Sequence, residues 1–266
     1  MLKRFLTALV LAAIGLPATI YGGIFFWLMM AFFLTYAAWE YVNLMRGAKF
    51  EPAPLISIGG VLAILIARTQ FPAYESAVFT ALVLLAMAYH LNAFERGRDK
   101  AAGDFAITAT SLIYMGWIGS YLVKLRELPG GLWWFFLILP TAWFADTAAY
   151  FVGKNFGKHK LAPRLSPKKT WEGYWGGVVF GTLGGVLFAW LWRNNIDLSL
   201  LDGALVGLLL SLLTTLGDLG ESMIKRQANI KDSSQLFPGH GGVFDRIDTW
   251  LWAAPIGYYL VTWFFM

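Results

Sequence analysis

Cysteine is absent from the 266 residues. The chain therefore has no disulfide framework, no thiolate metal site and no cysteine nucleophile. Charge is scarce: Asp, Glu, Lys and Arg make up 14% of the residues, where a soluble domain carries about 25%. Histidine occurs three times, with no Ser-His-Asp arrangement around it. The P-loop pattern G-x-x-x-x-G-K-[ST] is missing, as are clear internal repeats and any low-complexity tail. Apolar residues fill the space instead, at 58% of the chain with 13 Trp and 21 Phe and a mean hydropathy of +0.58. Such a composition describes an all-α, polytopic integral membrane protein, membrane domain throughout, with aromatic anchors at the interfaces. The net charge of +5 is no nucleic-acid signal here, because its distribution over the loops carries the information.

Nine apolar stretches approach the roughly 20 residues that cross a hydrocarbon core. They are Phe5–Tyr21, Gly22–Met45, Ala53–Ala67, Ala73–Phe94, Phe105–Val123, Gly131–Val152, Gly173–Trp192, Leu198–Gly217 and Thr249–Met266. The first follows Lys3-Arg4 like a signal peptide, but another apolar run comes almost at once, so it reads as a retained span. With the N-terminus inside, 17 of the 21 Lys and Arg residues fall in inside segments. The other four, Arg68, Lys124, Arg126 and Arg193, fall outside, as the positive-inside rule requires. This topology puts both large polar loops in the cytoplasm. One compact unit is expected over 1–266, with N-terminal spans in 1–130 and a catalytic half in 131–266 bearing loops 153–172 and 218–246. Gly181 and Gly185, and Gly203 and Gly207, have the four-residue spacing that lets membrane helices approach closely, although glycine is common in such helices anyway.

Ionisable groups concentrate in two places. The loop after Gly153 holds six Lys or Arg residues and one acid, Glu172. It fits a topology-setting loop on anionic headgroups, while the compact Ser166-Pro167-Lys168-Lys169-Thr170 also fits a phosphate-binding turn. The stretch 218–248 holds Asp218, Glu221, Asp232, Asp245 and Asp248 beside Lys225, Arg226, Lys231, His240 and Arg246. If its first part is helical, Asp218, Glu221, Ser222 and Lys225 share a face. Phe237-Pro238-Gly239-His240-Gly241-Gly242 reads as a tight loop with exposed amides. Carboxylates beside cations at a membrane face suit a metal ion with phosphates; an interfacial loop with surface ion pairs is the blander alternative. Asp146, within the sixth span, fits pairing with a loop cation as well as a functional role. Glu75 and Asp202 read as solvated at outer span ends, and His90 as a packed, hydrogen-bonded residue. Glu40, near the inner end of the second span, has no assigned role.

Ser222-x-x-Lys225-Arg226, Lys231-Asp232, Pro238-x-His240-Gly241-Gly242 and Asp245-Arg246-x-Asp248 together resemble the signature of the phosphatidate cytidylyltransferases, or CDP-diacylglycerol synthases. The segment from Asp146 through Ser166-Pro167-Lys168-Lys169-Thr170-x-Glu172-Gly173 is similar to that family too. The motifs cover the C-terminal half; the N-terminal half matches only in being hydrophobic. The resemblance implies transfer of CMP from CTP to phosphatidate, giving CDP-diacylglycerol and pyrophosphate. It implies Mg2+, with K+ as a second cation in bacterial members, and a homodimer. It also implies a bacterial inner (cytoplasmic) membrane location with the active site facing the cytoplasm. Carried over by position, Asp218 and Asp245 are the foremost metal ligands, followed by Asp248 and Asp232. Lys225, Arg226, Asp245 and Arg246 are the catalytic candidates. Ser166, Lys168, Lys169, Thr170, Ser222, Lys231, His240, Gly241 and Gly242 are the substrate-binding candidates. A lipid kinase using the CTP γ-phosphate and a transporter are the competing readings. The D-G-x-x-A-R pattern of CDP-alcohol phosphotransferases is absent, since Asp202-Gly203 lacks the arginine.

Overall fold

The structure is a computed structural model that describes residues 2–237 and 241–266, with backbone only for residues 2–6 and 8. Its long elements are helical: α1 (Leu2–Tyr21), α2 (Gly23–Gly47), α3 (Pro54–Gln70), α4 (Glu75–Glu95), α5 (Ala101–Ser111), α6 (Tyr121–Glu127), α7 (Gly131–Phe156), α8 (Trp171–Trp192), α9 (Leu200–Gln227), the short α10 (Phe244–Ile247) and α11 (Trp250–Leu260). Helix is the state in which an apolar segment satisfies its own backbone where lipid offers no partners. Six described helical stretches are long and apolar enough to cross a membrane: Gly23–Gly47, Pro72–Glu95, Ala101–Glu127, Gly131–Phe156, Trp171–Trp192 and Leu200–Gln227. Shorter apolar helices, Leu9–Tyr21 and Pro54–Gln70, accompany them. The protein is thus an all-α polytopic membrane protein. The two strands among the described residues form an antiparallel hairpin, β1 (Lys160–Ala162) with β2 (Ser166–Thr170), inside the basic loop.

Internal contacts divide the chain into two compact units, one of residues 1–123 and 224–247, the other of 124–223 and 248–266. In the first unit the core is built from α2, α3 and the wider π-helical turn Leu112–Ile118 that follows α5. Arg68, expected in an outside loop, instead lies in the last turn of α3 and is 3% exposed. Its guanidinium donates to the Trp117 carbonyl and to Ser120 Oγ at 2.7 Å, groups at the helix break before α6. It stacks over Trp117 at 3.9 Å and Tyr121 at 4.5 Å. Glu75, read from sequence as solvated, pairs with it at 3.3 Å. A buried guanidinium needs that company, because an unpaired charge there would cost several kcal/mol. His90 is packed and hydrogen-bonded to Thr108 at 2.9 Å. Phe244 is fully buried, with the Tyr41 and Tyr114 rings edge-on to it.

In the second unit α7, α8 and α9 pack through small residues. A Cβ on Gly185 would lie 2.8 Å from Gly207 Cα, and one on Gly207 would lie 2.9 Å from Thr182 Cα. The two spaced glycine pairs therefore form a backbone-to-backbone crossing of α8 and α9. α7 runs four residues past the expected Val152, and α9 runs ten past the expected Gly217. The second extension is the consequential one, because it makes Asp218, Glu221, Ser222 and Lys225 helical. Asp202 opens α9, accepting from Ser199 Oγ at 2.6 Å and Ser199 N at 3.1 Å, an N-terminal capping arrangement. Gly185→Leu is expected to lower stability by at least about 1–3 kcal/mol, whereas Gly59→Ala, with nothing within 4 Å of the added Cβ, is expected to be tolerated. Thermal unfolding of the two variants in detergent checks the contrast.

Candidate active site

Within the second unit, α9 presents Asp218 and Glu221 one turn apart, and the segment before α11 presents Asp248. Oxygens of these three carboxylates all lie within 4.8 Å of one another. Close approach of α9 to this segment depends on Gly217, where a Cβ would lie 2.7 Å from the Asp248 carbonyl oxygen and 2.8 Å from the Trp252 ring. Glu221 is 1% exposed, while Asp218 and Asp248 are half-buried. Three carboxylates this close repel one another unless a cation offsets them. Lys169, at the end of the hairpin, supplies one charge: its Nζ sits 2.5 Å from Asp218 Oδ2. The donor set also suits a hard divalent ion. Oxygens across an octahedral Mg2+ site lie roughly 4.2 Å apart, twice a bond of about 2.1 Å, so the spacing is of the right size for carboxylates sharing one ion with water or phosphate.

The hairpin that carries Lys169 is fixed at both ends. Glu172 accepts from the backbone N–H of Lys158 at 3.0 Å and of His159 at 3.2 Å, and contacts His159 Nδ1 at 2.5 Å. Thr170 is buried and accepts from Gly173 N at 3.2 Å, which makes it the N-cap of α8. Ser166 pairs in register with Ala162 and is half-buried, and Lys168 points to solvent. Asp146 accepts from Thr249 Oγ1 at 3.1 Å, next to Asp248 in sequence.

Within the first unit a second constellation surrounds Asp245. Its Oδ1 receives Lys225 Nζ at 2.6 Å. Its Oδ2 accepts from Ser233 N at 2.8 Å, Ser233 Oγ at 2.7 Å and Gly242 N at 2.8 Å. The ion pair is well shielded, the side chains being 11% and 6% exposed. Of the sequence candidates, then, Asp218 and Asp248 join a shared acidic group, and Asp245 joins Lys225. Ser222 Oγ reaches only 3.4 Å from Asp218 Oδ1. Arg226 is exposed and donates to the Ile230 carbonyl at 3.1 Å. Lys231, Asp232 and Arg246 are exposed. Gly241 adopts a φ of 79°, and Gly242 is buried. His240 lies outside the described residues.

Glu221 and Ser233 in these constellations, and Glu40, whose Oε2 accepts from Ser233 Oγ at 3.1 Å, were not among the sequence's site candidates. Glu221 had the signal of its three-residue spacing from Asp218. Glu40 had only its position as a carboxylate near the end of an apolar span.

The profile of the cytidylyltransferase family matches residues 2–264. The chain belongs to that family. Similar relatives, each called a phosphatidate cytidylyltransferase, come from Pseudomonas aeruginosa (36% identical, covering 96% of this chain and 94% of the relative), Synechocystis sp. (32%, 97% and 96%) and Bacillus subtilis (32%, 99% and 98%). Full-length coverage means that the family likeness includes the N-terminal half, where the sequence motifs are silent. The family is one of nucleotidyl transfer from CTP, and an acidic group able to hold a cation is what such chemistry needs.

Removing Lys225 would take from the shielded Asp245 carboxylate the ammonium that sits 2.6 Å away. Lys225→Met is expected to cost about 3–5 kcal/mol of stability, read as a lowered thermal midpoint of the purified protein in detergent.

Proposed function

We propose that this protein is a phosphatidate cytidylyltransferase, converting CTP and phosphatidate to CDP-diacylglycerol and pyrophosphate. The observation that carries the reading is the acidic group Asp218, Glu221 and Asp248 with Lys169 against it, in a chain that matches the family from end to end. In the reaction an ionised phosphate oxygen of phosphatidate attacks the α-phosphorus of CTP. The bond from that phosphorus to the bridging oxygen breaks, and pyrophosphate departs with the bonding pair. The nucleophile is already an anion, so no strong general base is required, consistent with a chain that holds three histidines.

The difficulty is to bring two polyanions together, and catalysis is then largely positioning and charge. A Mg2+ ion held by Asp218, Glu221 and Asp248 would neutralise the triphosphate and the leaving pyrophosphate. Lys169 is placed to exchange its contact with Asp218 for a phosphate oxygen. Lys168 and Arg246 are solvent-exposed cations available to incoming anions, and Lys225 orients Asp245 through their 2.6 Å contact. Asp245 itself, and a second cation such as K+, belong to the proposal through the family resemblance. So do a homodimer and a bacterial inner-membrane location with the site facing the cytoplasm. The diacyl chains of the substrate stay in lipid.

Purified protein given CTP, Mg2+ and phosphatidate is expected to release pyrophosphate and form CDP-diacylglycerol in equal amounts, with none when any one is omitted. Formation of CDP and a phosphorylated lipid instead would overturn the reading in favour of a kinase. Asp218→Ala is expected to lower the rate by about 100-fold or more and to abolish the rise in thermal midpoint that Mg2+ gives the wild type.

A further inference from the structure

Glu40 lies on α2, in the half of the chain that carries no family motif, and it is fully buried. An ionised carboxylate at zero exposure is expensive unless donors surround it. Four do, all from the stretch 233–244. Glu40 Oε1 accepts from Ser234 Oγ at 2.5 Å and from Val243 N at 3.0 Å. Oε2 accepts from Ser233 Oγ at 3.1 Å and from Phe244 N at 2.7 Å. All four donors are neutral, two hydroxyls and two backbone amides.

Asp245 follows that stretch directly, and the two carboxylates meet at one hydroxyl. Ser233 Oγ is 3.1 Å from Glu40 Oε2 and 2.7 Å from Asp245 Oδ2. Its single proton is shared between the two carboxylates, with Asp245 the nearer acceptor. The backbone closes the arrangement: Gly242 N donates to Asp245, and Val243 N and Phe244 N, the next two, donate to Glu40. Gly242 sits so close that a Cβ there would run into the Glu40 carboxylate and Ser233 Oγ. Phe244 then buries its ring against Tyr41, the neighbour of Glu40 on α2.

We propose that Glu40 is a positioning residue for the transfer reaction: a clamp on α2 that holds Ser233, Ser234, Val243 and Phe244 and so sets the Asp245 carboxylate and its Lys225 partner. The role rests on the cytidylyltransferase reading above. Glu40 touches no reacting atom; it acts through Ser233, Val243 and Phe244. Its charge is what allows both oxygens to accept at once. A glutamine offers one acceptor and one NH2 group, which faces a backbone N–H wherever it is turned, since each oxygen now receives one amide.

The test compares wild type with Glu40→Gln and Ser234→Ala, using steady-state kinetics and hydrogen exchange of the peptide spanning 233–244 in the resting protein. Glu40→Gln is expected to lower kcat by roughly tenfold to a hundredfold, to leave the KM for CTP within about twofold, and to speed exchange of that peptide. Exchange in α8 should not change. Ser234→Ala, which removes one donor and keeps the charge, is expected to move kcat and exchange in the same direction by less. Wild-type kcat in Glu40→Gln, or a fall in kcat with no faster exchange of 233–244, overturns the proposal. If Glu40→Gln does not fold, an unchanged kcat and exchange in Ser234→Ala overturns it equally. Exchange is read without substrates, so a wild type that makes no CDP-diacylglycerol would sink the functional reading while the clamp is still judged by exchange.

Discussion

A carboxylate carried into the helical body of a membrane protein has to be met by donors or by a cation, and much of this molecule follows from that constraint. Three of the acids answer it in different ways. Glu40 is met by neutral hydroxyls and amides, Asp245 by an ammonium together with amides and a hydroxyl, and Asp218 by the Lys169 ammonium beside two further acids. The first arrangement fixes a segment of chain. The second holds a buried pair, and the third leaves an acidic group suited to a hard cation.

Backbone proximity makes these arrangements possible. Gly185 and Gly207 let α8 and α9 cross in contact, and Gly217 lets α9 meet the segment bearing Asp248. Lipid supplies no hydrophobic drive between helices, so close van der Waals contact has to hold them. The same closeness brings acids from separate elements within reach of one ion. Stability and chemistry thus draw on the same small residues. Arg68 shows the rule applied to a cation: a break before α6 frees a carbonyl, and the guanidinium fills the vacancy between two aromatic faces.

The transfer reaction, as proposed, would ask little acid–base work of the protein, since the attacking phosphate oxygen would already be ionised. What it asks is that charge be offset and groups be held still. Lys169 is anchored by a hairpin whose ends are fixed through Glu172 and Thr170, and Asp245 by a segment tied to α2. Rigid mounting of a few charged side chains is the common feature.

Membrane class, helical state and the approximate positions of the six long spans were legible in the sequence, because hydropathy and backbone satisfaction in lipid are properties of local segments. So was the reaction class, through the ordered motif from Ser222 to Asp248. Tertiary structure decided which acids stand together. Asp218, Glu221 and Asp248 look no more alike in sequence than Asp218, Asp232 and Asp245 do. Their grouping depends on α9 running on to Gln227 and on the close approach at Gly217, both set by packing between elements distant in the chain. Arg68 left its expected loop for a buried helix end for the same kind of reason. Glu40 is the extreme case: about 200 residues separate it from the amides it binds, and no local pattern encodes a contact made only when the chain has folded.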